Sequence, residues 1–196
     1  PSKESCVLAW KIDFSHRGVF NSVLGLDEPG DVRCVRAARV TDGKAGSVVT
    51  TNIIRGGTAF FAGIEPGEYA ITDVVFEKEV GGHSGGADSR GRTKVIIASL
   101  AAADVLKTKA EAAAGTVSSG GHFSVRADST VKGFVLDFGL KKKEGLAVTV
   151  DKGYSVSSFS ADDVIPVTSV ERAASEGDAE AFRKTAAAVL AGSGWE

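Results

Sequence analysis

From Cys6 to Phe14 the chain alternates, with Cys6, Leu8, Trp10, Ile12 and Phe14 pointing one way and Val7, Ala9, Lys11 and Asp13 the other. Residues two apart share a face of a strand, so this block predicts a strand with one apolar face. Asp31 to Val40, opened by the turn Glu28-Pro29-Gly30, predicts its partner or near neighbour. Val19 to Leu24 between them reads as a short strand or as a loop with apolar anchors. Turns at Asp42 to Gly46, Gly56-Gly57 and Pro66-Gly67 then separate strands at Val48 to Ile54, Thr58 to Phe61 and Glu68 to Glu77. Val80 to Arg92 is broken by Gly81, Gly82, Gly85, Gly86 and Gly91 and has almost no apolar side chains, which predicts a mobile loop.

Past a strand at Thr93 to Ala98, the pattern changes period. Leu100, Ala103, Leu106, Ala110 and Ala113 recur at helical spacing before Gly115, predicting a helix over about 100–114. Phe123 to Val125, Val131 to Leu140, Leu146 to Val150 and Tyr154 to Phe159 return to strand, separated by Gly120-Gly121, Lys141 to Gly145 and Asp151-Lys152-Gly153. The tail predicts a second helix over about 176–191. Ser175 with Asp178 has the form of a capping box with a shortened acid, and Ala179, Phe182, Ala186, Val189 and Leu190 fall on one face. That stripe reads as docked core with Trp195 beside it; the alternative is a partner-binding face. Strands joined by short turns predict a mainly β fold, an antiparallel β-sandwich with a C-terminal α-helix, as a single domain over 1–196.

The composition, 43% apolar and 24% charged over 196 residues, is that of a chain able to build a real core. A net charge of −2 with a pI near 6.0 argues against nucleic acid or an anionic membrane surface as partner. Lys141, Lys142 and Lys143 form the one dense basic run, read as a hairpin tip or, alternatively, a small contact patch. The chain starts at Pro1 and has no methionine, which predicts a removed N-terminal segment such as a signal peptide or an anchor. No apolar run reaches the ~18 residues of a membrane span. Cys6 and Cys34 are candidates for a disulfide worth ~3–4 kcal/mol in the loop-entropy model, with two buried free thiols as the alternative.

The stretch from Gly56-Gly57 through Phe60-Phe61, Gly63-Ile64, Pro66-Gly67, Tyr69 and Ile71 to Val74 resembles the signature of transthyretin-like (prealbumin-type) domains. In that motif a Phe enters the core, Pro-Gly turns the chain, and a Tyr on the returning strand packs across from it. The run Val131 to Leu140, together with the ending in a helix and Trp195, is similar to small bacterial envelope lipoproteins that join such a sandwich to a C-terminal helix. The resemblance implies an extracytoplasmic protein, in the periplasm or at the cell surface. It also implies a lipid anchor, expected on a cysteine outside this chain because Cys6 leads straight into a strand. Some sandwiches of this type form internal isopeptide bonds. Lys11 would be the amine and Asp73 the assisting acid, but Asn21 and Asn52, the only amide acceptors, lie far from the expected place.

Candidate chemistry is sparse. No nucleophile elbow, phosphate loop, H-E-x-x-H or calcium-loop motif occurs, and His16, His83 and His122 are the only histidines. His83 with Asp88, or His16 with Asp13, are weak metal-ligand candidates; His122 beside Phe123 reads as an ordinary strand residue. The expectation is a non-enzymatic, exported envelope protein with a binding, adhesion or structural role. Contacts to an unidentified protein or envelope partner would run through His83, Asp88, Arg90 and Arg92, without cofactor. The alternative is a carrier of a small ligand or metal, with a pocket between sheet and helix walled by Trp10 or Tyr154.

Overall fold

The computed structural model describes residues 5–17, 27–80, 92–128, 164–173, 178–193 and 195. In chain order the strands are β1 (Cys6–Arg17), β2 (Glu28–Pro29), β3 (Asp31–Thr41), β4 (Lys44–Thr50), β5 (Ile53–Arg55), β6 (Thr58–Ile64), β7 (Gly67–Val80) and β8 (Arg92–Ser99), then β9 (Ala110–Ala112), β10 (Val117–Asp128) and β11 (Val164–Arg172). Helix α1 (Ala102–Lys107) lies between β8 and β9, and α2 (Asp178–Leu190) follows β11. The fold is mainly β, as the alternation predicts. The eleven strands among the described residues form one sheet ordered β4-β3-β7-β8-β11-β10-β1-β6-β5, with β2 on β1 and β9 on β7. No helix among the described residues is long and apolar enough to cross a membrane.

The sheet is mixed rather than antiparallel, because β1 runs parallel to β10 and β8 parallel to β11. Parallel neighbours need long connections, which the short turns at the start of the chain do not reveal. Those turns themselves are tight. Asp42 and Gly43 (φ 52° and 72°) join β3 to β4, and Gly56 and Gly57 (φ 56° and 73°) join β5 to β6, the paired positive φ that a two-residue hairpin requires.

The sheet folds over on itself. Its two outermost strands, β4 and β5, are consecutive in the chain, and the residues between them tie both halves together. Thr51 exchanges bonds with Val35 of β3, its N–H donating to the Val35 carbonyl (2.9 Å) and its Oγ1 accepting from the Val35 N–H (3.1 Å). The Asn52 side chain makes a two-way bond with Ala62 of β6, at 3.0 Å each way. At the other end β11 changes partner along its length: Val164 to Pro166 run beside β8, and Val167 to Arg172 beside β10. Pro166, which has no N–H to donate, stands at the changeover. Phe14 of β1 meets Phe76 of β7 at 4.6 Å between ring centroids, although four steps of the strand order separate them. One core therefore lies between the two halves, and Leu8, Trp10, Phe61, Tyr69, Ile71, Val74, Phe123 and Val125 contribute to it.

The predicted helix over 100–114 is shorter, ending at Lys107. Thr108 is why. Its carbonyl accepts the Trp10 indole N–H (3.2 Å), its Oγ1 accepts the Ile71 N–H (2.8 Å), and that hydroxyl donates to the Val105 carbonyl (2.8 Å). Beyond it Ala110–Ala112 pairs with Gly67 to Tyr69 as a strand, so buried tertiary bonds override the helical preference of alanine. The second helix, predicted over about 176–191, spans Asp178–Leu190. Strand β11 was not expected at all: its spacing of Val164, Val167 and Val170 is interrupted by Pro166 and by polar residues.

Trp10 packs against Gly120, so any side chain there must displace the indole: a Cβ on Gly120 would overlap Trp10 at Nε1. Gly120→Ala is expected to cost ~1–3 kcal/mol through overpacking, read as a lowered urea midpoint with an unchanged denaturant slope.

Candidate functional site

Positions 7, 9, 11 and 13 of β1 share the face that points away from the main core. Val7 and Ala9 are covered by α2, whose Ala186 and Leu190 pack on them and on Phe60, with Phe182, Val189 and Trp195 at the margin. The Phe60 and Phe182 rings lie nearly parallel, 6.5 Å apart. The apolar stripe of the tail is thus docked core, and Trp195 does pack beside it. Lys11 and Asp13 continue the same face past the first turn of α2. On the parallel neighbour β10, Lys11 lies opposite His122.

A bulge puts His122 there. The register of β1 and β10 slips between Ala9 and Trp10, so Ser119 faces Ala9 but Gly121 faces Trp10, and Gly120 is the extra residue. Without it, His122 would fall on the core side of β10. Gly121 (φ 104°) takes a conformation that other residues avoid. The Gly120-Gly121 pair, which reads in the sequence as a turn, is a bulge inside a twelve-residue strand.

His122 is 9% exposed and held at both nitrogens, with Nε2 2.7 Å from Asp13 Oδ2 and Nδ1 3.0 Å from Asp178 Oδ2. Asp178, the first residue of α2, also lies 3.5 Å from Lys11 Nζ through its other oxygen. Asp178 therefore clips α2 to the sheet; the capping box expected of it with Ser175 lies outside the described residues. A carboxylate only accepts, so each ring nitrogen of His122 faces an acceptor, one from the sheet and one from the helix.

Beside the clip a groove of about 570 Å³ opens between α2 and the sheet. Its walls come from Lys11, the β5–β6 turn with Thr58, Val117, Ser119 and Gly121 of β10, and Phe182, Arg183 and Thr185 of α2. A pocket between sheet and helix is where the carrier alternative places it. Trp10 is not a wall, being buried with its N–H on Thr108, and Tyr154 lies outside the described residues.

A second polar cluster is sealed in the interior. Asp73 and Arg36 are opposite each other on β7 and β3, with Nε 3.9 Å from Oδ2. Thr72 Oγ1 donates to Asp73 Oδ2 at 2.8 Å. Burial pushes the Asp73 carboxyl above its ordinary value, against the opposing pull of Arg36, Thr72 and Ser99. Cys34, nearby, is pushed up to about 12, again chiefly by burial. Such a thiol stays protonated and inert.

Several sequence candidates are not brought together. Cys6 and Cys34 are free buried thiols, Cys6 in the main core with its thiol on the Ile64 carbonyl (3.3 Å), Cys34 in a separate cluster with Val75 and Ile97. Lys11 is engaged by Asp178 on the outer face, while Asp73 is buried beside Arg36, so the candidate isopeptide amine and its assisting acid are not brought together. His16 packs on Phe76 near Glu28, and Asp13 turns to His122 instead. His83, Asp88 and Arg90 lie outside the described residues, and Arg92 begins β8, paired with Val80. Among the described residues no group of three or more His, Cys, Asp or Glu is placed to hold a metal ion. Comparison with protein-family models, with curated proteins and with solved structures finds no match.

Two outcomes test these sites. His122→Ala removes both bonds and leaves Asp13 and Asp178 with Lys11 as the remaining cation; a loss of ~1–3 kcal/mol is expected, with faster amide exchange in α2 and unchanged exchange in β7. The folded state binds the Asp73 proton more tightly than the unfolded chain does. The stability of its neutral form is therefore present below 3.8 and is lost as pH rises from there through the raised folded value. Asp73→Asn, which cannot ionise, is expected to gain on the wild type across that window, measured as urea midpoints at a series of pH values.

Proposed function

We propose that this protein is a non-enzymatic binding module of β-sandwich type that holds a small organic ligand in the groove between α2 and the outer face of β1 and β10. The observation that carries the reading is the groove itself: about 570 Å³, with an apolar wall and several convergent polar groups, the size and make-up of a small-molecule site. The contacts of His122 favour binding over catalysis, since the one described histidine lining the groove has each nitrogen against a carboxylate. Of the two expectations from the sequence, the carrier of a small ligand is thereby favoured over a purely structural or adhesive role.

The sandwich reading is supported by two halves of a sheet facing each other across Phe14 and Phe76, with β11 and the Thr51-Asn52 corner passing between them. A transthyretin-like variant of it is supported by the motif from Gly56 to Val74: Phe61 and Tyr69 enter one core from either side of Pro66-Gly67, and the Tyr69 hydroxyl donates to the Glu65 carbonyl at 2.8 Å. On this reading the protein works outside the cytoplasm, in the periplasm or at the cell surface. Any lipid anchor belongs to a cysteine other than Cys6, which is buried in β1.

The test is thermal stabilisation. Screening the purified protein against pools of small metabolites is expected to yield a ligand that raises the melting temperature, the equivalent of ~2.7 kcal/mol at a hundred times its dissociation constant. Ala181→Trp, which places a large side chain in the groove from an exposed helix position, is expected to abolish that shift while the apoprotein melts as before. A shift that survives Ala181→Trp would put the ligand elsewhere and overturn the reading.

A further inference from the structure

Resting on that reading, we infer that the groove takes a small organic anion: an oxyanion such as a carboxylate, sulfonate or phosphate carried on an apolar ring or chain. The polar groups around the cavity divide unevenly. Among the described residues Asp178 is its one carboxylate, and both of its oxygens are already engaged, by His122 and by Lys11. What remains toward the groove among the described residues is two cations and hydroxyls able to donate. Arg183 lines it from α2 and makes no ion pair with any described residue. Lys11, 38% exposed, makes one ion pair among the described residues, to Asp178.

Thr58 is the more specific sign. It lies opposite Lys11 on β6 and is 5% exposed, yet its hydroxyl has no partner among the described residues and the residue lines the cavity. On a side chain otherwise buried, that hydroxyl is left available to a molecule in the groove. Thr58 and Arg183 stand on opposite sides of the groove, one on the sheet and one on the helix. A ligand that accepts from both is acceptor-rich. Phe182 and Val117 supply the apolar wall, which bare phosphate would leave uncovered. An oxyanion on an apolar body satisfies both walls.

The probe is 8-anilinonaphthalene-1-sulfonate, compared by fluorescence titration with uncharged N-phenyl-1-naphthylamine, which has the same rings without the sulfonate. The folded wild type is expected to bind one sulfonate dye saturably, and the neutral dye about tenfold more weakly, the equivalent of ~1.4 kcal/mol. Arg183→Gln and Thr58→Val should each weaken the sulfonate dye several-fold and leave the neutral dye unchanged. Displacement by octanoate would assign the apolar body to a chain, as in a lipid; displacement by phenyl phosphate would assign it to a ring, and either supports the inference. If both dyes bind equally, are indifferent to Arg183→Gln and Thr58→Val, and are expelled by Ala181→Trp, the anion inference fails and the binding reading stands. If Ala181→Trp leaves the sulfonate dye bound as in the wild type, or no saturable binding occurs, both fail.

Discussion

The buried indole of Trp10 is the constraint on which the rest of the arrangement hangs. It needs a flat surface, an aromatic neighbour and an acceptor for its N–H, and three separate parts of the chain supply them. Gly120 provides the surface, Phe61 an edge-to-face contact at 5.3 Å, and Thr108 the carbonyl. Because Thr108 also binds Ile71 and closes α1, the same residue joins β1, the short helix and β7. An indole N–H without a partner at this depth would cost more than an ordinary hydrogen bond returns, so these choices are coupled. The length of α1, the strand pairing of Ala110–Ala112 and the glycine at 120 follow from a single side chain.

The same coupling reaches the outer face. The extra residue that brings Gly120 under Trp10 shifts the register of β10 by one, and a shift of one turns every later side chain over. His122 is thereby placed outside, next to Lys11 and Asp13, within reach of the first residue of α2. Core packing on one side of the sheet and the charged clip on the other are two consequences of one bulge. The clip then decides where α2 stops covering the sheet, and the groove begins at that point. Charge and hydroxyls gather there because Val7 and Ala9 use up the apolar part of the face under the helix, while Lys11 and Asp13 are left to be satisfied by polar partners.

Much of the fold is legible in the sequence where local rules govern it. Strict alternation from Cys6 to Phe14, the paired glycines at 56 and 57, and the helical stripe from Ala179 to Leu190 each specify their element, because period and turn chemistry act over a few residues. The helix over 100–114 fails at Thr108 because its fate depends on Trp10, 98 positions away. The parallel pairings and the corner at Thr51-Asn52 are invisible for the same reason. The candidate site was the least legible part. His122 carries no motif, and the sign that it matters is a glycine pair whose meaning changes from turn to bulge only when β1 is known to run beside β10.

The position of His122 also separates two kinds of site that look alike in a residue inventory. Lys, His and two Asp close together resemble an acid–base centre, but an acid–base centre needs one nitrogen free to exchange a proton with a substrate. Here one carboxylate comes from the sheet and the other from the helix, and each takes a ring nitrogen. The ring spends its hydrogen-bonding capacity on joining two elements. The groups that line the groove beside it are a threonine on the sheet and an arginine and a phenylalanine on the helix. That distribution makes the cluster a clip joining sheet and helix at the edge of the groove.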